Sequence, residues 1–381
     1  MINVSKLYCG LESESDRLRY GAHKARAASE IRPVVVWNVS RRCNLRCIHC
    51  YSDSENRRYD GELTKQEAER MLTDLAGFGV PAVLLSGGEP LMRRDLFELA
   101  AFGKKLGLRF TLSTNGTLID EATARRIHDT GFSYVGISLD GIGETNDLFR
   151  GSRGAFDKAL QALRNLKKAG QKVGLRMTLT RHNIAELPKI LELIEAEKID
   201  RACFYHLVPS GRGRLIQTEV PTPEETERAV GALLDKTKEW ERRRIRKEIL
   251  TVDNHADGIY LLRRLSKEDP ARAKEVRRLL EANGGAFKSS GVGIGCIDFL
   301  GDVHPDQFWT GETLGNVRQR PFSEIWQDES IPLLHELRHR RDFLKGKCAT
   351  CQYLSLCGGG FRVRAENVTG DRWAPDPACY I

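Results

Sequence analysis

The chain has 381 residues, of which 40% are hydrophobic, and its formal net charge is +8. These values exclude a fibre or a disordered tail and suggest about two globular domains. The start shows no basic stretch followed by an apolar run, and no run of about 18 apolar residues occurs, so the sequence predicts neither a secretory signal nor a membrane span, and a cytoplasmic protein is expected.

Short apolar, β-branched runs alternate with amphipathic stretches through the first two thirds of the chain. Strands are predicted at Val34–Val39, Ala82–Ser86, Arg109–Ser113, Tyr134–Leu139, Val173–Thr180 and Ala202–Val208. Helices are predicted near Thr64–Phe78, Asp95–Leu106, Asp120–Thr130, Ala155–Ala169, Asn183–Glu197 and Pro223–Arg244. Six β/α units imply a parallel sheet with right-handed crossovers. The expected fold class is α/β, a partial (β/α)6 TIM-like barrel with its chemistry at the carboxyl ends of the strands.

Four segments follow from this pattern. Residues 1–30 are expected to be an N-terminal extension, residues 31–247 the partial barrel, residues 248–284 a helical connector, and residues 285–381 a small C-terminal cluster-binding domain. The last segment opens with a glycine-rich stretch, and a hairpin is predicted to turn near Gly301 and Asp302.

The ten cysteines argue for metal binding, because cytoplasmic thiols are kept reduced. Cys43, Cys47 and Cys50 lie in one loop directly after the first predicted strand. Three thiolates at this spacing can bind three irons of a cubane cluster and leave the fourth iron open to a substrate or cosubstrate. The alternative is a zinc site of the Cys3His kind that uses His49.

The spacing Cys43-x3-Cys47-x2-Cys50 on the first strand–helix loop resembles the signature of the radical S-adenosylmethionine (AdoMet) superfamily. The resemblance implies that AdoMet chelates the fourth iron and is cleaved reductively to a 5′-deoxyadenosyl radical, which abstracts a substrate hydrogen. It also implies a reductant such as flavodoxin or ferredoxin. His49 occupies the position where these enzymes usually have an aromatic ring near the adenine.

Polar residues after the next strands are the candidate AdoMet contacts. The turn of Gly87, Gly88 and Glu89 resembles the motif that binds the AdoMet amino group, and a carboxylate suits an ammonium ion. The ends of the third and fourth strands carry small polar residues that suit either turns or ribose contacts, namely Ser113, Asn115, Ser138 and Asp140. Arg150 resembles the arginine that binds the AdoMet carboxylate in relatives, although Asn146 stands where histidine is commoner.

A second cysteine set lies near the end of the chain, at Cys348, Cys351, Cys357 and Cys379. Four thiolates in a turn-rich region can bind zinc or a [4Fe–4S] cluster. The arrangement resembles the SPASM and twitch extensions of the superfamily, which implies an auxiliary cluster. The two-cluster pattern has further cysteines where this chain has Asp306 and Phe361, so one auxiliary cluster is expected. That leaves Cys296 without partners, and Cys9 and Cys203 are expected to be ordinary buried thiols.

Five segments resemble the 12,18-didecarboxysiroheme deacetylase family of the alternative haem pathway: Ser5–Gly10, Ala202–Val208, Leu250–Gly258, Phe361–Ala365 and Asp376–Tyr380. The resemblance implies removal of two acetate side chains from an iron-bound tetrapyrrole, which gives iron-coproporphyrin III. Three alternatives stay open: a haem d1 biosynthesis enzyme that removes propionates, a peptide-modifying SPASM enzyme, and, outside enzymes, a zinc-ribbon nucleic-acid binder. The last leaves the first cysteine loop unexplained, so neither nucleic acid nor a membrane is the expected partner.

A tetrapyrrole of this kind carries several carboxylates on a flat apolar ring, so its pocket needs cationic donors at the rim. Arg176, Arg212 and Arg214 lie towards the expected catalytic end of the barrel. The iron needs an axial ligand, for which neutral imidazole is the usual choice. The candidates are His206, His255 and His304, with His206 favoured because its strand should end in the barrel mouth.

Overall fold

The computed structural model describes residues 1–14, 16–21 and 28–381. The strands in this part of the chain are β1 (Ile2–Asn3), β2 (Val34–Ser40), β3 (Val83–Gly87), β4 (Phe110–Thr114), β5 (Tyr134–Ser138), β6 (Val173–Leu179), β7 (Arg201–His206), β8 (Glu248–Val252), β9 (Ile294–Ile297), β10 (Asp302–His304) and β11 (Gly315–Asn316). The helices are α1 (Val4–Cys9), α2 (Asp16–Tyr20), α3 (Lys65–Phe78), α4 (Leu96–Lys105), α5 (Glu121–Thr130), α6 (Glu144–Arg150), α7 (Ala155–Lys168), α8 (Leu187–Ala196), α9 (Pro223–Arg242), α10 (Ala256–Glu268), α11 (Pro270–Asn283), α12 (Phe322–Gln327), α13 (Pro332–Arg338), α14 (Leu354–Cys357) and α15 (Arg362–Thr369).

All the described strands form one sheet in the order β1-β8-β7-β6-β5-β4-β3-β2-β9-β10-β11. Strands β2 to β8 are parallel neighbours, so their carboxyl ends meet at one edge. The sheet is open at both ends, and the predicted partial barrel is confirmed. The six predicted units are present, and β8 adds a seventh parallel strand.

The segment at residues 248–284 differs from the helical connector that the sequence predicts. It begins with β8, which pairs with β7 in parallel register, and only then continues into α10 and α11. The strand was missed because it has only five residues and directly follows a strongly charged stretch that resembles a helix end. Its carboxyl end adds one more loop to the catalytic edge of the barrel.

Local sequence signals explain where the elements begin and end. Helix α3 begins after Thr64, whose side chain accepts a hydrogen bond from the Glu67 amide while the Glu67 carboxylate accepts one from the Thr64 amide, and it ends at Gly79 in the left-handed conformation. In β2 every residue after Val34 is buried, as expected for a strand covered on both faces.

The last third of the chain is joined to the barrel through the sheet itself. Strand β9 pairs in parallel with β2 and antiparallel with β10, and the predicted hairpin turns at Gly301. At the opposite edge, β1 pairs with β8. The expected N-terminal extension includes residues 15 and 22–27, which lie outside the described residues. Within the described ranges, no helix is both long enough and apolar enough to span a membrane.

Candidate active site

The cysteine loop after β2 is held in place by backbone contacts from distant parts of the chain. The amide of Cys43 donates to the Glu55 carbonyl at 3.1 Å, and the amide of Ile48 donates to the Phe149 carbonyl at 3.0 Å. Arg212 donates to the Cys47 carbonyl at 3.0 Å, to the Ser54 carbonyl at 2.8 Å and to a carboxylate oxygen of Asp53 at 2.8 Å. The loop conformation is therefore set by tertiary structure.

The three sulfur atoms of this loop already receive N–H donors. The Leu45 amide lies 3.4 Å from the sulfur of Cys43, the Ser54 amide 3.5 Å from that of Cys50, and a guanidinium nitrogen of Arg150 3.7 Å from that of Cys47. Burial raises the pKa of Cys43 to about 12 and also raises that of Cys47. Buried thiols surrounded by N–H donors suit a metal cluster, because the metal removes their protons and the donors stabilise the thiolates.

The Gly87–Gly88–Glu89 turn packs directly against this loop. A Cβ atom on Gly87 would lie 2.4 Å from the Ser40 carbonyl oxygen, and one on Gly88 would lie 2.2 Å from that of Arg42. The glycines therefore allow two backbones to approach each other. The carboxylate of Glu89 is fully buried and accepts hydrogen bonds from the Thr114 hydroxyl and from the Asn115 and Leu91 amides.

Asp140 connects two of the predicted AdoMet residues. It forms an ion pair with Arg150, and its carboxylate also lies 4.0 Å from Nε2 of His49. The His49 ring packs on Phe149 with 4.5 Å between centroids, and burial lowers the pKa of His49 to about 4. His49 is therefore a neutral ring at neutral pH. Asn146 accepts a hydrogen bond from the Asp140 amide, which fixes the turn after β5.

A cavity opens at the carboxyl ends of the parallel strands, beside the cysteine loop. Among the predicted site residues, the following line it: Cys43, Cys47, His49, Cys50, Gly87, Gly88, Ser113, Asn115, Ser138, Arg150, Arg176 and His206. Glu89 and Asp140 lie behind this lining, where they support it through the contacts described above. The structure thus brings most of the residues predicted from separate loops to one site.

Arg176 faces this cavity from β6. It donates to the Ser113 hydroxyl, and its guanidinium lies 4.7 Å from the centroid of the Tyr205 ring. No carboxylate of the described residues lies within ion-pair distance of it. A cation without an anionic partner in such a site favours an anionic ligand.

The other two predicted rim arginines lie elsewhere. Arg212 is used to hold the cysteine loop, and Arg214 is an exposed residue whose contact is a hydrogen bond to Asn367. They do not line the cavity.

The three candidate histidines differ in position. His206 lines the cavity, with Nε2 at 2.8 Å from a carboxylate oxygen of Asp257. His304 has its Nδ1 at 2.6 Å from the Glu312 carbonyl and its Nε2 at 3.8 Å from the Asp298 carboxylate, so both nitrogens face protein acceptors. His255 is buried with Nδ1 unpaired, but it does not line the cavity.

Asp253 is a titratable residue of the cavity lining that is not among the predicted site residues. Asp253 follows β8 with a φ of +66°, a conformation that is strained for a residue other than glycine. Its carboxylate oxygen Oδ2 is buried without a hydrogen-bond partner, and burial raises the pKa of Asp253 to about 6. The position of Asp253 directly after a strand could have identified it, but β8 itself is not predicted from the sequence.

Two of the late cysteines, Cys357 and Cys379, lie near each other in the C-terminal region. Burial raises the pKa of Cys357 to about 12, and the nearby Cys379 adds to the rise. The chain end that carries Cys379 is anchored by a buried ion pair of 3.1 Å between Asp376 and Arg364. In the described ranges, no three His, Cys, Asp or Glu side chains lie close enough together to hold a metal ion. Cys296 lies on β9 with its sulfur 3.6 Å from Nδ2 of Asn38.

The radical SAM superfamily model matches residues 37–194, which contain the cysteine loop and the turns after β3, β4 and β5. The chain is 50% identical to Fe-coproporphyrin III synthase of Methanosarcina barkeri, over 100% of this chain and 98% of the relative. It is 47% identical to pre-heme d1 synthase of Dinoroseobacter shibae, over 92% of this chain and 86% of the relative. An AdoMet-dependent heme synthase of M. barkeri is 32% identical over 91% of this chain and 95% of the relative.

The chain belongs to the radical SAM superfamily, and within it to the family of the Fe-coproporphyrin III, pre-heme d1 and AdoMet-dependent heme synthases. It is a radical SAM enzyme, as the cysteine spacing predicts, and the superfamily implies AdoMet and one [4Fe–4S] cluster. Streptococcus suis SuiB, solved with S-adenosylmethionine, has a TM-score of 0.72 at 20% identity, over 92% of this chain and 78% of that one. Native anSMEcpe with bound AdoMet has a TM-score of 0.70, which agrees with the same fold.

Proposed function

We propose that this chain removes the two acetate side chains of 12,18-didecarboxysiroheme to give iron-coproporphyrin III. The observation that carries the proposal is Arg176, a cavity-facing cation without a carboxylate partner among the described residues, beside the three cluster cysteines. Similarity over the full length to Fe-coproporphyrin III synthase supports the same substrate class. We propose that the enzyme acts in the cytoplasm and receives electrons from a flavodoxin or a ferredoxin.

Burying a guanidinium without an anionic partner costs free energy. Arg176 has only a hydroxyl and the face of the Tyr205 ring as partners, which stabilise a cation less well than a carboxylate does. A substrate carboxylate would supply the missing negative charge and bind bidentately, with a gain on the order of 1.5–3 kcal/mol for such a charged hydrogen bond. An uncharged substrate would leave Arg176 without an anionic partner.

The cavity lining supports the predicted AdoMet contacts. Cys43, Cys47 and Cys50 would hold the cluster that supplies the electron for reductive AdoMet cleavage. We propose that Arg150 binds the AdoMet carboxylate while Asp140 orients it, and that the neutral His49 ring packs near the adenine. Polar groups for the amino group and the ribose come from the three strand-end turns, at Gly87, Gly88, Ser113, Asn115 and Ser138, and Glu89 supports these turns from behind.

Two buried arginines support an auxiliary cluster near Cys348 and Cys357. Arg340 and Arg362 are each 1% exposed, and their guanidinium groups donate to backbone carbonyls. No carboxylate of the described residues forms an ion pair with either one. Burial lowers the pKa of Arg340 to about 9, with Arg362 lowering it further and Asp306 and Cys357 opposing the shift.

Buried cations without a carboxylate in ion-pair contact favour a further source of negative charge, and the thiolates of an iron–sulfur cluster would supply it. Burial likewise lowers the pKa of Arg362, and the Asp376 carboxylate, followed by Cys348 and Cys357, opposes this shift. We propose that residues 285–381 form a domain that holds one [4Fe–4S] cluster through Cys348, Cys351, Cys357 and Cys379.

The reaction itself is the test of the proposed function. Reconstituted protein is incubated anaerobically with dithionite, AdoMet and 12,18-didecarboxysiroheme, and the tetrapyrrole is analysed by mass spectrometry. The expected product has lost both acetate side chains. An Arg176→Gln variant should bind the substrate at least about 10-fold more weakly, since one charged contact of the size above is lost. The matched control is Arg214→Gln, which removes an exposed arginine outside the cavity. Unchanged substrate by mass, with 5′-deoxyadenosine formed, would refute this substrate.

A second candidate is favoured by the 47% identity to pre-heme d1 synthase. An enzyme of that kind would remove propionate side chains, and the same assay distinguishes the two because the lost groups differ by one methylene each. A peptide substrate is not favoured, because similarity to SuiB at 20% identity concerns the fold alone.

A further inference from the structure

His206, Asp257 and Tyr380 form a buried hydrogen-bonded chain at the cavity wall. Nε2 of His206 lies 2.8 Å from Oδ2 of Asp257, and the Tyr380 hydroxyl donates to Oδ1 of the same carboxylate at 2.9 Å. His206 is 7% exposed and Asp257 is 1% exposed. The three residues come from the end of β7, the first turn of α10 and the chain end, so only the tertiary structure brings them together.

These hydrogen bonds determine which ring nitrogen of His206 can bind a metal. A carboxylate accepts hydrogen bonds, so Nε2 of His206 carries the hydrogen that points to Asp257. In the neutral ring the lone pair is then on Nδ1, because the hydrogen bond that the His206 ring makes within the described residues uses Nε2. An imidazole that donates one N–H to a carboxylate and presents its other nitrogen to a cavity has the arrangement typical of a metal-ligating histidine.

We propose that Asp257 and Tyr380 are positioning residues that hold His206 as the axial ligand of the substrate iron. The inference deepens the proposed function and rests on it, because the iron belongs to the tetrapyrrole. Of the three candidate histidines only His206 lines the cavity. Asp257 orients the ring and makes it a better donor to iron, and the Tyr380 hydroxyl holds the second oxygen of Asp257.

Tyr380 also connects this ligand to the C-terminal cysteine set, because it directly follows Cys379. Its ring packs on Tyr260 of α10 with 5.9 Å between centroids, so the chain end is held against the helix that carries Asp257. Correct folding of the segment around Cys379 is thus required to place Tyr380. The C-terminal domain therefore contributes one of the two side chains that support His206.

A comparison of iron-bound and metal-free tetrapyrrole binding distinguishes ligation of the iron by His206 from packing of the ring against it. Iron-coproporphyrin III and metal-free coproporphyrin III are titrated anaerobically into wild type and into the His206→Gln, Asp257→Asn and Tyr380→Phe variants, and absorption spectra and affinities are recorded. His206→Gln should lose the histidine–iron spectrum and bind the iron form about 10- to 100-fold more weakly. Asp257→Asn should weaken binding of the iron form nearly as much, and Tyr380→Phe should weaken it less. The metal-free form should bind all variants about as well as wild type. The matched control is His182→Gln, which changes an exposed histidine away from the cavity.

Chemical rescue with imidazole tests ligation by His206 without depending on whether a variant folds less well. A His206→Gly variant that regains the wild-type iron spectrum on addition of imidazole supports direct ligation. An iron spectrum unchanged in His206→Gln, or equal losses for the iron and metal-free forms, would overturn the inference while leaving the proposed function intact. If wild type binds neither tetrapyrrole, the proposed function fails and the inference fails with it.

Discussion

Arg150 forms a buried ion pair with Asp140 while its guanidinium lies 3.7 Å from the sulfur of Cys47. Asp140 is fully buried and Arg150 is 8% exposed. The Asp140 carboxylate is also held by the Thr178 amide at 2.6 Å. Arg150 is thus fixed between the end of β5 and the cysteine loop. At this position its guanidinium could interact with both an AdoMet carboxylate and a cluster thiolate.

Asp140→Asn should destabilise the AdoMet-free protein by about 3–5 kcal/mol, because it leaves the Arg150 charge buried without a partner. Chemical unfolding of the apoprotein measures the effect, and AdoMet affinity should fall in the reconstituted protein. Glu121→Gln on α5 is the control, since its ion pairs with Arg125 and Lys168 are exposed and should contribute little to stability. Equal stability of the Asp140 variant and wild type would contradict the assigned role of the pair.

Replacement of Cys43, Cys47 or Cys50 by Ala should abolish 5′-deoxyadenosine formation, because each thiolate would bind a different iron of the cluster. Product is quantified by chromatography after incubation with AdoMet and dithionite. Cys9→Ser, a change on α1 outside both cysteine sets, serves as the control and should retain activity. Wild-type amounts of 5′-deoxyadenosine from the Cys47 variant would rule out this loop as the cluster site.

Iron content tests the second cluster. Wild type should hold about eight irons per chain, four in each of two clusters. Joint replacement of Cys348 and Cys351 by Ala should reduce this to about four while AdoMet binding persists. Iron analysis and electron paramagnetic resonance measure the result, and Cys203→Ser on β7 is the control. If the double variant keeps all its iron, the late cysteines bind no cluster.

Gly88→Ala should disrupt the cysteine loop, because its Cβ would lie 2.2 Å from the Arg42 carbonyl oxygen. Cluster loading and thermal stability should both fall. Gly77→Ala in α3 is the matched control, since nothing lies within 4 Å of its Cβ position and alanine favours helix by about 0.5–1 kcal/mol. The same substitution should therefore act in opposite directions at the two sites, and a Gly88 variant as stable as wild type would contradict the packing argument.

Glu67 joins α3 to the C-terminal region through an ion pair of 2.8 Å with Arg318. The hydrogen bond from Arg318, followed by that from the Thr64 amide, lowers the pKa of Glu67 to about 2 from its usual 4.5. Because the folded-state pKa is depressed, the stabilisation is present above pH 4.5 and is lost as the pH falls towards 2. Glu67→Gln should therefore destabilise the protein at pH 7 by up to about 1 kcal/mol. Unfolding curves at several pH values should show the difference from wild type shrinking below pH 4.5; a constant difference would contradict the ionic origin.

The sequence by itself determined the barrel and the position of the cysteine loop. Six strands were predicted within one or two residues at each end, because buried parallel strands are short apolar runs separated by amphipathic helices. Cys43, Cys47 and Cys50 were recognised from local spacing, which a single loop imposes. The strand β8 was missed because five residues after a charged stretch carry too weak a periodic signal.

Tertiary structure decided which polar residues face the cavity. Arg176 and Arg212 are both predicted to lie towards the catalytic end of the barrel. Only Arg176 lines the cavity, because Arg212 binds the cysteine loop. His206 differs from His255 and His304 through its contact with Asp257, which lies 51 residues away in sequence. Local pattern specifies which element a residue belongs to, whereas the direction and partners of its side chain depend on elements that are distant in sequence and come together only on folding.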